Sequence, residues 1–169
     1  CQTGFLVLRC DLPFRQKRRS GPPMPAAAAE DRSGLREAVA AVRQMAPGSV
    51  FLGGHSYGGR QSTLLATDEP AVADALLLLS YPLHPPARPQ QLRTSHWPNL
   101  RTPSFFVHGV KDPFGSIEEM KSVLPLIEAP TVLITIERAG HDLSRGRFDI
   151  ENTVLAPFRT FGSSVLPTA

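Results

Sequence analysis

Five short apolar runs punctuate this chain: Phe5 to Cys10, Val50 to Leu52, Ala75 to Leu79, Ser104 to Val107 and Thr131 to Ile136. None of them alternates with polar residues. A run without a polar face predicts a strand covered on both sides, the condition of a parallel sheet between layers of helices. The segments between the runs carry helical spacing. Leu35, Ala38, Val39, Val42 and Met45 fall on one face, with Gly48 just past the expected end. Ser116 and Glu119 have the spacing of a capping box, opening a segment with Ile117, Met120 and Leu124 on one face and stopped at Pro125. Ile150, Val154, Phe158 and Phe161 also read as a helix, with Pro157 counting against it. Strand and helix in alternation predict an α/β architecture with right-handed crossovers.

A length of 169 residues, 41% of them hydrophobic, suits a single domain over residues 1–169 with a real core. Two stretches resist a regular reading. Gln16 to Ala29 is rich in Arg, Gly and Pro and predicts a loop. Tyr81 to Pro103 holds six prolines with His84, His96 and Trp97, and predicts at most a short helix. No internal repeat is visible.

The formal charge of +3 is mild for this length, and the basic residues are fifteen Arg against three Lys. The densest basic run, Arg15 to Arg19, has no aromatic residues or second basic cluster beside it, so a solvated loop is expected and a nucleic-acid partner is not. Cys1 and Cys10 form neither a disulfide framework nor a metal-ligand spacing, and Cys10 is expected to be a small buried residue. No apolar segment has the length of a membrane span and no signal peptide is visible, so the expectation is a cytoplasmic protein with no membrane partner. With Cys1 in place of an initiator Met, the chain is expected to be missing its true beginning.

The stretch Phe51 to Gln61, FLGGHSYGGRQ, carries the chemistry. Gly54-His55-Ser56-Tyr57-Gly58 fits G-x-S-x-G, directly after an apolar strand and before a helical segment. A turn this tight strains the nucleophile's backbone, and glycines two residues to either side are expected to relieve collisions. The serine oxygen then projects above a helix N-terminus, where the backbone N–H of Tyr57 is free to donate to a developing oxyanion.

A serine hydroxyl is a poor nucleophile without a base. Asp112 follows an apolar strand in SFFVHGVKDPF, and His141 follows the next strand in TVLITIERAGHDL. The separations, 56 residues from Ser56 to Asp112 and 29 from there to His141, suit one or two intervening strand–helix units. In this order Ser56 attacks, His141 takes and returns the proton, and Asp112 orients the imidazole. The competing readings are a turn serine at Ser56 and a turn-initiating aspartate at Asp112. Asp142 adjoins His141, but sequence neighbours rarely orient each other's side chains. His55 is expected to pack, His108 to be a buried structural residue, and His84 and His96 to lie on the surface or in loops. Arg60, in the first turn after Ser56, is a candidate contact for an anionic substrate group, with a solvent or structural role as the alternative. Pro82, Leu83 and Trp97 either line an apolar acyl pocket or pack their loop down.

The motifs VLRCDLPFRQ, GGHSYGGRQ, LRTPSFFVHGVKDPFG and AGHDL resemble the α/β-hydrolase superfamily, most closely its dienelactone-hydrolase-like branch. Within it they are similar to the small subgroup related to testis-expressed protein 30 and to the third regulatory subunit of the nonspecific-lethal acetyltransferase complex. The resemblance spans nearly the whole chain. It implies an α/β-hydrolase fold, with a mainly parallel sheet flanked by helices on both faces, and the same roles for Ser56, Asp112 and His141. A dienelactone hydrolase uses a cysteine nucleophile, so the serine here points away from that particular reaction.

The resemblance also implies a strand between Phe5 to Cys10 and Val50 to Leu52, with a loop supplying the second oxyanion donor. Both would precede Cys1, and His108-Gly109 lies too late in the chain to replace that loop. The chain is therefore expected to lack its N-terminal strands and to be less stable and less active than a full-length relative. The expected function is serine hydrolysis of a carboxyl ester, thioester or similar acyl bond of a small molecule, with no metal and no cofactor. The competing reading is a non-catalytic interaction module on the same scaffold, with a protein partner.

Overall fold

The computed structural model describes residues 4–143 and 149–166, so Cys1 lies outside the described residues. The elements are α1 (Pro13–Lys17), α2 (Ala28–Met45), β1 (Phe51–His55), α3 (Tyr57–Asp68), β2 (Ala75–Leu79), β3 (Ser104–Gly109), α4 (Ile117–Val123), β4 (Thr131–Ile136) and α5 (Ala156–Val165). The four strands form one parallel sheet in the order β1-β2-β3-β4. β1 runs through both glycines to His55, because its ladder to β2 uses backbone groups and continues to the His55–Leu79 pair.

Successive residues of a strand face opposite sides, and each β strand feeds two cores accordingly. Leu52, Leu76, Leu78 and Phe106 meet Leu35 and Val39 of α2, Leu65 and Ala66 of α3 and Met120 of α4. Ala75, Phe105, Val107 and Ile136 meet Phe158 and Phe161 of α5. Helices thus cover both faces of the sheet. Each fully buried side chain of this kind contributes about 1.5–3 kcal/mol. No helix among the described residues is long and apolar enough to cross a membrane.

Local signals in the sequence account for several boundaries. In α4, Ser116 accepts from the Glu119 N–H and the Glu119 carboxylate accepts from the Ser116 N–H, the reciprocal cap expected from their spacing. Pro125 follows inside a single tight turn, Leu124–Leu126. Pro157 does not break the last helix. It falls in the first turn of α5, behind a widened turn at Glu151–Leu155 that closes from the Ala156 N–H to the Glu151 carbonyl. The wider turn supplies the room that a proline ring lacks in a regular helix.

The run Phe5 to Cys10 departs from expectation. Among the described residues it pairs with no strand, and Leu6, Val7 and Leu8 are 57%, 70% and 44% exposed. Phe5 is its half-buried member, packed against Phe51 and Phe158. The run makes no ladder to the free edge of β1, so only side-chain contact holds it there, and most of it stays exposed. Cys10, expected to be buried, is consequently an exposed free thiol. The predicted loop from Gln16 opens with the end of α1, and helical structure resumes with the turn Pro25–Ala27.

Candidate active site

Ser56 stands between β1 and α3 with φ 53° and ψ −117°, a conformation costly for a residue with a side chain. Its N–H donates to the Leu79 carbonyl at 2.8 Å, which ties the turn to the end of β2. The glycines around it divide the work differently from expectation. A Cβ on Gly54 would lie 2.8 Å from the Gly58 carbonyl carbon, so that glycine is required. A Cβ on Gly58 would meet nothing within 4 Å, whereas one on Gly59 would lie 2.8 Å from the Gly54 oxygen. The second steric requirement therefore falls one residue later, where α3 crosses back over β1.

The loops after β3 and β4 are bound to each other through Lys111 N–H to the Ala139 carbonyl and Val110 N–H to the Ile136 carbonyl. They carry Asp112 and His141. The His141 Nδ1 lies 2.8 Å from Asp112 Oδ2 and 3.0 Å from Oδ1, and its Nε2 lies 2.7 Å from Ser56 Oγ. A carboxylate only accepts, so Nδ1 carries the proton and Nε2 is left to accept from the serine hydroxyl. Asp112 is buried, and its Oδ1 also accepts from the Phe114 N–H at 2.9 Å. The structure thus joins the three residues singled out in the sequence into one hydrogen-bonded chain. Chemically, such a chain can draw a proton from the serine as its oxygen attacks an electrophile.

Several contacts that sequence reasoning did not anticipate hold this chain in place. The Phe114 ring lies over the His141 imidazole with centroids 4.2 Å apart. His55, expected only to pack, donates from Nε2 to the His141 carbonyl at 2.7 Å and so pins the loop of one residue to the strand of the other. Tyr57 directs its hydroxyl away, donating to buried Asp31 on α2, while Asp31 also accepts from the Phe14 N–H. Burial and then this hydrogen bond push the Tyr57 phenol upward in pKa, keeping it neutral. Asp31 had a readable signal: it precedes Leu35 and Val39 at four-residue spacing on the same buried stripe.

The remaining histidines and the loop after β2 are packed. His108 is fully buried, with Nε2 donating to the Gly115 carbonyl, and burial lowers its pKa. His84 lies in the loop after β2, one of the two places expected for it, and is buried there against Glu119. His96 bonds Thr63 through Nε2, and burial followed by the charge of Arg60 pushes its pKa down to about 4. Trp97 is wholly buried against Tyr81 and Phe106, in the tight turn Trp97–Asn99, and Leu83 is buried beside it. Of the two roles open to Trp97, its rings serve packing. Arg60 is half-buried in the first turn of α3, its N–H donating to the Ser56 carbonyl at 3.1 Å.

Comparison with known proteins places this fold. The sequence profile of the alpha/beta hydrolase domain matches residues 1–153. An alpha-beta serine hydrolase homologue from Coxiella burnetii superposes with a TM-score of 0.57 at 16% identity, covering 87% of this chain and 63% of that one. Arabidopsis thaliana SOBER1 gives 0.56 at 18% identity, covering 93% and 71%. Est1E from Butyrivibrio proteoclasticus gives 0.62 at 16%, covering 81% and 71%. The chain therefore spans less than two thirds of the Coxiella protein. At these identities the likeness is one of fold, a parallel sheet between helices.

Proposed function

Because this chain belongs to the alpha/beta hydrolase domain family, we propose that it is a serine hydrolase of the dienelactone-hydrolase-like branch, cleaving carboxyl-ester or related acyl bonds. The observation that carries the reading is the continuous chain from Ser56 Oγ through His141 to the buried Asp112 carboxylate, with both links inside 3 Å. In the proposed reaction Ser56 Oγ adds to the acyl carbonyl carbon while its proton passes to His141 Nε2. Negative charge on the carbonyl oxygen faces the backbone N–H of Tyr57, the first residue of α3. Asp112 keeps its hydrogen bond to Nδ1 and stabilises the imidazolium. Collapse breaks the bond to the leaving group, which takes the proton from His141. Water then attacks the acyl-serine by the same route, releasing the acid and restoring the hydroxyl.

The strained backbone of Ser56 accords with the same reading; Ser80 shares the positive φ, so the hydrogen-bonded chain is what distinguishes Ser56. The test is covalent labelling with a fluorophosphonate probe, followed by peptide mapping. Ser56 is expected to carry the label, and Ser56→Ala to lose both the label and at least about 10⁴-fold of any ester hydrolysis. A folded chain that takes no label removes the proposal.

A further inference from the structure

Asp31 is a wholly buried carboxylate that makes no ion pair among the described residues. Such a group is costly to bury, and only specific hydrogen bonds offset the cost. Asp31 makes two. Its Oδ1 accepts from the Phe14 N–H at 2.9 Å, and its Oδ2 accepts from the Tyr57 hydroxyl at 2.8 Å. The first bond satisfies one of the donors that the opening turn of α1 leaves without an intrahelical partner. The second reaches the residue that follows the nucleophile. One buried carboxylate therefore joins α1, α2 and the start of α3.

The junction is closely set. A Cβ on Gly34 of α2 would lie 2.8 Å from the Pro13 ring carbons, so α1 rests directly on the backbone of α2. At the other end of α1, Lys17 pairs with Glu30 at 2.6 Å. The Phe14 ring meets the Tyr57 ring edge-on, with centroids 5.3 Å apart. The stretch VLRCDLPFRQ, which the proton relay does not use, thus places Phe14 against the residue beside the nucleophile, by its ring and, through Asp31, by its backbone.

What this achieves follows from the backbone of Ser56. Its ψ of −117° sets the plane of the peptide between Ser56 and Tyr57, and with it the direction of the Tyr57 N–H. With φ at 53° the turn is strained, and it stays so only while its surroundings hold it. Upstream, the Ser56 N–H is bound to the Leu79 carbonyl at 2.8 Å. The peptide itself is held through the Ser56 carbonyl, which accepts from the Arg60 N–H at 3.1 Å. Downstream, the Tyr57 side chain is fixed by its hydroxyl on Asp31 and by its ring against Phe14. We infer that Asp31 is a positioning residue for the oxyanion donor: it holds Tyr57, and through Tyr57 the N–H that faces the developing charge. This deepens the hydrolase reading and rests on it.

The experiment reads the oxyanion donor itself. Para-nitrophenyl acetate is compared with its thiono analogue, in which sulfur, a weak hydrogen-bond acceptor, replaces the carbonyl oxygen. A donor that loses its aim slows the oxygen ester more than the sulfur one, so the ratio of their kcat/KM values falls. Tyr57→Phe removes the hydroxyl and keeps the ring against Phe14. It is expected to lower that ratio roughly 5- to 30-fold, chiefly through kcat. Asp31→Leu is expected to lower it at least as far. Asp31→Asn, whose amide can still accept from the Phe14 N–H and donate to the phenol oxygen, is expected to keep most of it. Tyr81→Phe deletes another buried phenol hydroxyl, the one on the Arg93 carbonyl, and is expected to lower the urea midpoint without moving the ratio. An unchanged ratio in Tyr57→Phe, or an equal fall in Tyr81→Phe, overturns the positioning role and leaves the hydrolase reading intact. If the unmodified chain cleaves neither substrate, the hydrolase reading falls, and 15N relaxation of the amide at position 57 decides the positioning role alone. An order parameter of about 0.85 in the unmodified chain that drops in Tyr57→Phe supports it, and equal values in the two overturn it.

Discussion

Two apolar runs of similar make-up meet opposite fates in this molecule. Ser104–Gly109 is buried at every position as β3, between β2 and β4. Phe5 to Cys10 pairs with nothing among the described residues and exposes most of its side chains. Hydrophobicity is alike in the two; what differs is that β3 is laddered to a strand on each side, while the first run makes no ladder to the free edge of β1. An apolar run states that a segment can be buried, and the ladder decides whether it is. The difference also shows where the site draws its rigidity. Ser56 is tied to β2, Asp112 and His141 to the paired ends of β3 and β4, and none of their hydrogen bonds reaches the exposed run.

The sharpest way to break this contrast is at its buried end. Asp112→Asn keeps the volume and an acceptor for the Phe114 N–H, but offers His141 a group that can donate as well as accept. An amide N–H turned toward Nδ1 selects the tautomer with its proton on Nε2, which cannot accept from Ser56. The expected outcome is a loss of kcat/KM of roughly 10²- to 10⁴-fold on an activated ester, with little change in urea unfolding. Activity within tenfold of the unmodified chain would mean that the buried end is not the reacting end.

A smaller effect, read as stability, is expected from the glycines that let α3 cross β1. Gly59→Ala places a methyl 2.8 Å from the Gly54 oxygen, backbone against backbone, where neither partner is free to move aside. It is expected to cost about 1–3 kcal/mol in urea denaturation. Gly58→Ala meets open space in the first turn of a helix and is expected to be neutral or to stabilise by up to about 1 kcal/mol. The reverse ranking would move the steric requirement back to the position that the G-x-S-x-G spacing suggests.

Much of the fold was legible because its signals are local. β2, β3 and β4 follow from uninterrupted apolar runs, α2 from four-residue spacing, and the start of α4 from the four-residue cap Ser116 to Glu119. The chain order of Ser56, Asp112 and His141 was readable for a related reason, since each stands just past such a run. What escaped depends on partners distant in sequence. Whether Phe5 to Cys10 forms a strand depends on its neighbour. The exposure of Cys10 follows from that, and the role of Gly59 depends on where a helix crosses its own strand. His55 looked like packing because its acceptor, the His141 carbonyl, lies 86 residues away. Trp97 illustrates a different gap: composition marks a large aromatic residue in a proline-rich loop, but only packing against Tyr81 and Phe106 shows which way it turns.

The weakest effects are expected in the exposed run, and there the contrast can be drawn between two residues of one segment. Val7 is 70% exposed, so Val7→Ser forfeits little apolar area that folding had taken out of water. Its effect on unfolding free energy is expected to stay within about 0.5 kcal/mol. Phe5 is half-buried, with its ring 6.0 Å from Phe51 edge-on and 5.9 Å from Phe158. Phe5→Ala loses those aromatic contacts and part of the covering over the outer side of β1, and is expected to cost about 1–2 kcal/mol. Urea denaturation of the two variants side by side measures the difference directly. A Val7→Ser cost equal to that of Phe5→Ala would mean that the run is packed along its whole length in solution, as a buried strand would be.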